Sequence, residues 1–213
     1  MKIAVLGGTG SLGRGLVLRL ASLGYDVIVG SRDVKKAEAK AEEYGSMLGL
    51  KIRGLDNRRA SMECDVAIIT IPWKFAFDVV EELKDELEKK IVVSPIVPME
   101  KTENGFVYVN LPEGSAAEKL AGILKDSVVV SAYHNIPAKK FADLNAKFEW
   151  DVAVCGDDEE SKKKIIEITN EIEGLRALDA GGLSNSRIVE SLTTLLINIA
   201  MRNRMKDLGV RFV

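Results

Sequence analysis

Short apolar runs alternate with amphipathic stretches along most of the chain. Six runs predict buried strands, at residues 3–6, 27–29, 66–71, 91–93, 128–130 and 152–154. Between most of them, apolar residues at helical spacing predict helices at 11–23, 35–48, 75–87, 115–124 and 161–172. Because continuous apolar strands that alternate with helices are covered on both faces, the pattern predicts an α/β fold: a doubly wound (Rossmann) parallel sheet.

Two segments depart from this alternation. Residues 95–112 hold three of the five prolines and little periodicity, which predicts a long loop with a short hairpin near 106–109. After Gly181 and Gly182, the N-cap residues 184–186 precede an apolar helix. That helix carries Ile188, Leu192, Leu195, Leu196 and Ile199. We therefore expect an α/β domain over residues 1–180 and a small, mainly helical C-terminal domain over residues 181–213.

Composition narrows the chemistry. The 213 residues include 30 Lys and Arg against 32 Asp and Glu, so no global field favours nucleic acid. His134 is the single histidine, which excludes sites built from several histidines and leaves no candidate metal site. No apolar run is long enough for a membrane span or a signal peptide, so we expect a cytoplasmic protein. Cys64 and Cys155 are then expected to be free thiols.

A glycine loop follows the first predicted strand directly. Residues 7–13 read GGTGSLG, with glycines at 7, 10 and 13, and an amphipathic helix begins at Ser11. The first glycine permits a tight turn, the second lets the backbone approach a pyrophosphate, and the third lets helix and sheet pack closely. The pyrophosphate would lie on the N–H groups that open the helix. The context favours a dinucleotide site over a glycine-rich turn without a ligand.

The end of the second strand indicates which dinucleotide binds. NAD-binding units place an acid there for the ribose 2′-hydroxyl, whereas this chain has Gly30, Ser31 and Arg32. Arg32 and Lys36 lie four apart near the first turn of the next helix, where they would hold a 2′-phosphate. Asp33 is expected to cap that helix and turn away from the phosphate. The alternative is a solvated, charged helix start.

Three later strands end in segments that would converge on the nicotinamide. Ile71, Pro72, Val97 and Pro98 offer an apolar wall and free carbonyl groups, although ordinary loop packing explains each of them equally well. His134 follows the strand at 128–130. A lone histidine is more often a structural group than a catalyst, so we expect at most an orienting role and no acid–base duty.

Several motifs together resemble a known family. GGTGSLG, GSR, TIPW, SPIVP, SAYHNIPAKKF, CGDDEES and LDAGGLSNSRIVESLT are similar to the archaeal coenzyme F420-dependent NADP oxidoreductases, and the likeness covers the whole chain. It implies reversible hydride transfer between reduced coenzyme F420 (8-hydroxy-5-deazaflavin) and NADP. It also implies an NADP-binding Rossmann domain, with a small C-terminal domain that contributes to the deazaflavin site and to a homodimer.

The resemblance and the motifs assign the site residues. NADP is expected at Gly7, Thr9, Gly10, Ser11, Leu12, Gly13, Ser31, Arg32, Lys36, Ile71, Pro72, Val97, Pro98 and Ala138. The resemblance implies that the deazaflavin lies near His134, Ile136, Pro137 and Leu208. The cofactors supply the hydride chemistry, so no acid–base pair is required at the reacting carbons. The basic residues 202, 204, 206 and 211 would meet the phosphate or glutamate tail of the deazaflavin, or simply suit a helix C-terminus and a wet surface.

Two other functions stay open on the residues alone. One is an NADP-dependent reductase of a small imine, carbonyl or ferric centre. The other is a non-catalytic NADP-sensing regulator, which would have the same glycine loop and no second ligand pocket. Because the first thirty-six residues would be alike in all three, the second pocket is the feature that discriminates.

Overall fold

The apolar runs form a sheet in the computed structural model, which describes residues 1–213. The strands are β1 (Lys2–Leu6), β2 (Asp26–Ser31), β3 (Arg53–Asp56), β4 (Val66–Ile69), β5 (Ile91–Ser94), β6 (Met99–Thr102), β7 (Gly105–Tyr108), β8 (Val128–Ser131), β9 (Trp150–Gly156) and β10 (Leu175–Asp179). Eight of them make one sheet in the order β10-β9-β8-β5-β4-β1-β2-β3, and β6 pairs with β7 separately. Chain order reverses on the two sides of β1 and β4, as in a doubly wound sheet.

Helices cover both faces of the sheet. They are α1 (Ser11–Ser22), α2 (Val34–Leu48), α3 (Asn57–Glu63), α4 (Trp73–Glu82), α5 (Ala116–Ile123), α6 (Ala138–Phe141), α7 (Glu159–Asn170) and α8 (Ser186–Arg202), with a 3-10 turn at Leu183–Asn185. Two apolar clusters of 28 and 19 buried residues divide the core. The doubly wound α/β fold is therefore confirmed. None of the helices has the length and apolar composition needed to cross a membrane.

The expectation of a wholly parallel sheet is wrong at one edge. β9 runs antiparallel to β8, with Ser131 opposite Cys155 and Val130 opposite Gly156, and β10 follows β9 in parallel. Only the one-turn helix α6 lies between β8 and β9, so the chain lacks a full crossover that would return it for a parallel strand. As a consequence, the first residues of β9 extend beyond the carboxyl edge of β8.

Other differences concern edges and helix ends. Strands β3 and β10 did not stand out in the sequence because they lie at the two edges of the sheet and are only partly buried. The helix predicted at 75–87 ends at Glu82 and is followed by turns. The hairpin expected within residues 95–112 is confirmed as β6 and β7. Both cysteines are free and buried, as predicted.

Helix α8 is joined to the α/β core by polar contacts. The Glu190 carboxylate accepts hydrogen bonds from the backbone N–H groups of Ala116 (3.0 Å) and Ala117 (3.1 Å) at the start of α5, and from the Tyr108 hydroxyl (2.7 Å). Two turns further on, the Asn198 side chain accepts from the Phe106 N–H (2.8 Å) and donates to its carbonyl (2.7 Å). The helix and the hairpin therefore form one unit against the core.

The segment after α8 returns to the protruding part of β9. The Asp151 N–H donates to the Val210 carbonyl (2.7 Å), and the Phe212 N–H donates to the Asp151 carboxylate (2.5 Å). The Arg176 guanidinium donates two hydrogen bonds, of 2.8 and 2.7 Å, to the same carboxylate. These bonds hold the pKa of Asp151 below its usual range. The terminal residues are thereby fixed beside α8. The division into two domains at residue 181 stays a prediction.

Candidate functional site

The glycine loop fits between the ends of three strands. The N–H groups of Gly7 and Gly8 both donate to the Gly30 carbonyl at 3.0 Å, which ties the loop to β2. Gly7 has φ +81°, in the left-handed region that favours glycine. A Cβ atom at Gly13 would lie 2.6 Å from the Gly8 Cα and 2.9 Å from the Thr70 Oγ1, so only glycine lets α1 approach β1 and β4 this closely.

The start of α1 leaves hydrogen-bond donors free. Gly10 is the N-cap and supplies no capping side chain, and the first turn carries no acid. The backbone N–H groups of Ser11, Leu12 and Gly13 find no acceptor in the protein. Gly10 itself is exposed, and a Cβ there would lie 3.5 Å from the Gly7 carbonyl oxygen without a clash. Free N–H groups at the positive end of a helix are suited to a pyrophosphate.

The end of β2 carries the residues predicted to bind a 2′-phosphate. Ser31 is buried and its hydroxyl accepts from the Asp33 N–H at 3.2 Å, while Arg32 and Lys36 are exposed. Neither of these two cations forms an ion pair with a protein carboxylate. Both charges are therefore available to an anion, and Thr9 lies in the neighbouring loop, half-buried.

The acids beside this corner are engaged as helix caps. The Asp33 carboxylate accepts from the Lys36 N–H at 3.2 Å, which confirms the predicted N-cap of α2. Asp56, which pairs with Ser31 across β2 and β3, caps α3 by accepting from the Arg59 N–H at 3.0 Å. Arg32 directly precedes this cap, because α2 begins at Val34 and Asp33 has extended backbone angles.

A groove of about 560 Å³ opens beside the glycine loop, between α8 and the segment that follows β8. We call it the α8 groove. Its walls include Ser11, Met99, His134, Asn135, Ile136, Pro137, Ala138, Lys139, Thr193, Leu196, Ile197, Ala200, Met201, Met205, Asp207 and Leu208. The structure thus brings together all four residues expected at the deazaflavin, and Ser11 and Ala138 from the NADP set lie in the same walls.

His134 is buried in the wall of the α8 groove. Only 6% of the residue is exposed, and burial lowers the pKa of its imidazole to about 3. The Nε2 atom lies 3.4 Å from the Ser131 hydroxyl, and the Nδ1 atom has no protein partner. The imidazole is therefore neutral at physiological pH, so the imidazolium form needed for acid catalysis is not populated.

The remaining predicted NADP residues lie on the loops at the carboxyl edge. Ile71 lies against the glycine loop, since a Cβ on Gly7 would be 3.1 Å from its Cγ1. Pro72 is exposed and precedes α4 as its N-cap. Val97 is half-buried and Pro98 buried in the stretch between β5 and β6. Pro72 and Val97 therefore keep accessible surface at this edge of the sheet, while Pro98 is covered.

Sequence reasoning missed most of the wall that α8 contributes. Thr193, Leu196, Ile197 and Ala200 repeat at helical spacing and share the face turned to the groove. Their periodicity was visible, but the sequence does not tell which face of a helix meets a ligand. Among the basic residues near the terminus, Lys206 lies beside the groove, whereas Arg202 donates to the Asn104 carbonyl and Arg211 pairs with Glu149.

The fold and the glycine loop define a dinucleotide-binding α/β protein with a second ligand groove. The family described as "NADP oxidoreductase coenzyme F420-dependent" matches residues 2–98. An F420-dependent NADP reductase of Methanocaldococcus jannaschii is 43% identical over 219 residues, covering 99% of this chain and 97% of that protein. One from Methanothermobacter marburgensis is 38% identical over 218 residues, with coverage of 99% and 97%.

A solved structure extends the likeness to the fold. A protein described as an F420-dependent NADP reductase from Arthrobacter sp. FB24 superimposes with a TM-score of 0.85 at 20% identity, over 100% of this chain and 99% of that one. From the identity to the two archaeal enzymes over nearly its full length, the chain belongs to the coenzyme F420-dependent NADP oxidoreductase family.

Substitutions at Gly10 and Gly13 distinguish an effect on NADP binding from an effect on stability. We expect Gly10→Ala to lower the free energy of unfolding by only about 0.5–1 kcal/mol, because alanine is a poorer N-cap than glycine but its Cβ meets nothing closer than 3.5 Å, and to weaken NADP binding at least about tenfold. Gly13→Ala is the matched control and should lower the free energy of unfolding by about 1–3 kcal/mol. Urea denaturation and calorimetric titration with NADP measure both. Unchanged NADP affinity in Gly10→Ala would contradict a pyrophosphate at this position.

Proposed function

We propose that the protein catalyses reversible hydride transfer between reduced coenzyme F420 and NADP. Its membership of the F420-dependent family supports this activity. The structural observation that carries it is the α8 groove, which meets the glycine loop at Ser11, so that a dinucleotide on the loop and a second ring system in the groove would adjoin. When both are bound, the coenzymes supply the hydride chemistry.

The protein's own residues then have three tasks. The free N–H groups at the start of α1 and the unpaired Arg32 and Lys36 hold the phosphates of NADP. Ile136, Pro137 and Leu208 give the deazaflavin ring an apolar seat that excludes water. His134, neutral and buried in the groove wall, helps to position a ring by packing and moves no proton. Positioning of this kind, without an acid–base pair, is sufficient for hydride transfer.

The α8 groove also favours an enzyme over a sensor. A regulator that only binds NADP has no need for a second pocket. In this protein the α8 groove has mainly apolar walls and a volume of about 560 Å³, and it lies beside the nucleotide loop. A small imine, carbonyl or ferric centre would leave most of that volume unfilled. The size of the groove is consistent with a tricyclic ring.

A turnover assay tests the activity. NADPH and oxidised coenzyme F420 are mixed with the protein, and the absorbance of the deazaflavin is followed as it is reduced. We expect enzyme-dependent loss of that band and recovery with excess NADP. NADPH oxidation only with an imine, carbonyl or ferric acceptor would replace the proposal by the other reductase class, and binding without any turnover would indicate a sensor.

Selectivity for NADP tests the 2′-phosphate corner. Arg32→Ala removes one charge-assisted contact, worth about 1.5–3 kcal/mol, and should weaken NADP binding about 10- to 100-fold while changing NAD binding little. Lys35→Ala is a control for charge, since Lys35 is exposed on the same helix start and is not assigned to the phosphate. Titration of each variant with both nucleotides gives the ratio. Equal weakening of NAD and NADP in Arg32→Ala would contradict the assignment.

We also propose that two copies associate through α8, in the cytoplasm. Along its outer face, Ile188 is 70% and Leu195 53% exposed, and Leu192 and Ile199 continue the same stripe half-buried. A contiguous apolar stripe on a helix is typical of a protein interface, and a symmetric dimer pairs such a stripe with itself.

The mass in solution tests the dimer. Leu195→Asp would bury a charge in the interface and should shift the protein from a dimer to a monomer in sedimentation velocity. Met62→Asp is the control, because Met62 is 63% exposed on α3 and away from the stripe. A wild-type protein that sediments as a monomer at micromolar concentration would overturn this interface.

A further inference from the structure

A second recess adjoins the α8 groove. It has a volume of about 720 Å³ and is lined by Lys139, Lys140, Asp143, Ala146, Lys206 and Asp207. We call it the lysine recess. Lys139 and Asp207 lie in the walls of both the recess and the groove, so the two spaces share one border.

Both walls of the groove change from apolar to charged residues at this border. On one side the chain runs from buried His134 through Ile136 and Pro137 to Lys139, and on the other side α8 is followed by Met205 and Lys206. The groove is therefore mainly apolar, and the recess beyond the border is charged, with three lysines against two acids. A ligand that fills both spaces would carry an apolar part at one end and an anionic group at the other.

The amines of the lysine recess have no carboxylate partner in the protein. None of Lys139, Lys140 and Lys206 lies within 4.0 Å of a carboxylate. The Lys140 ammonium is held 5.7 Å from the centroid of the Trp150 ring. Three unpaired cations gathered in a chain of net charge −2 form a local site for an anion.

The two acids of the recess offset this charge only in part. The Asp143 carboxylate accepts from the Asn145 N–H at 3.0 Å, and its backbone carbonyl accepts from the Arg19 guanidinium at 2.9 Å. Asp207 is exposed, at the border with the groove. The lining keeps an excess of one positive charge, and the neighbouring guanidinium of Arg19 adds a second.

We propose that the lysine recess binds the phosphate and glutamate tail of the deazaflavin coenzyme, with Lys139, Lys140 and Lys206 as the contacts. The proposal rests on the proposed function, because it assumes that the ring of the same coenzyme lies in the α8 groove. Of the basic residues near the C-terminus that the sequence suggested for the tail, the proposal keeps only Lys206. It adds Lys139 and Lys140, which lie in the segment after β8. The lysine recess then recognises the tail of the coenzyme by its charge, while the α8 groove recognises the ring by its shape.

Two substrates that differ only in the tail isolate this contact. Coenzyme F420 carries the anionic tail, and the 8-hydroxy-5-deazaflavin nucleoside has the same ring without it. In the triple variant Lys139→Gln, Lys140→Gln and Lys206→Gln, we expect kcat/KM for coenzyme F420 to fall at least about tenfold through KM, and kcat/KM for the nucleoside to change less than about twofold. Added salt should raise KM for coenzyme F420 in the wild type and have little effect in the variant.

A matched triple variant controls for net charge. Lys51, Lys125 and Lys164 are exposed, form no ion pair and lie outside both spaces, so their change to Gln removes the same charge elsewhere. It should leave both substrates unaffected. Binding of the oxidised coenzymes, followed by the intrinsic fluorescence of the deazaflavin, gives the same comparison without turnover.

The outcomes distinguish this proposal from the proposed function. Equal effects on the two substrates, or no effect of the recess substitutions on coenzyme F420, would overturn the lysine recess while leaving the enzyme's activity in place. A wild-type protein that neither binds nor turns over either deazaflavin would overturn the proposed function and the recess together.

Discussion

The buried Glu190 carboxylate is the contact on which the second half of the site depends. It is completely buried, and burial raises its pKa to about 7, although two backbone N–H groups and the Tyr108 hydroxyl donate to it. The positive end of α5 also favours its charged form. Its loss would leave three donors without a partner, which costs about 1–3 kcal/mol for each buried group. Because α8 forms one whole wall of the groove, this contact and the Asn198–Phe106 pair together fix the position of that wall.

How far the sequence predicts this fold depends on how local each signal is. The glycine loop and the cap Asp33 act within a few residues, and both were predictable. The direction of β9 was not, because it follows from a short connection through α6 and from pairing with β8, neither of which leaves a periodic trace. β3 reads Arg53–Asp56, without an apolar run, since an edge strand is covered incompletely.

The candidate site also has one part that local sequence signals predict and one part that they do not. Most residues expected at the dinucleotide follow the ends of β1, β2, β4 and β5, so a motif and its distance from a strand were sufficient to propose them. The groove is built from segments more than fifty residues apart, and Thr193 meets it from α8 while Ile136 meets it from the segment after β8. Only the resemblance to a family named the residues near the deazaflavin. Glu190 left one local signal, an acid within an otherwise apolar helix, which the sequence did not connect to α5.

Helix α1 connects the glycine loop to the segment that lines the α8 groove. Its first turn has free N–H groups, which would face the pyrophosphate in the proposed binding mode, and one turn later Gly15 packs against the Phe141 ring. Arg19 is buried in the last turn of α1. Its guanidinium donates to the carbonyls of Phe141 (2.7 Å) and Asp143 (2.9 Å) and lies 5.0 Å from the Phe141 ring centroid. The segment with Ile136 and Pro137 therefore packs on the same helix that begins at the glycine loop. Since hydride transfer depends on the distance between two rings, one rigid helix that bears on both sites is a direct way to fix that distance.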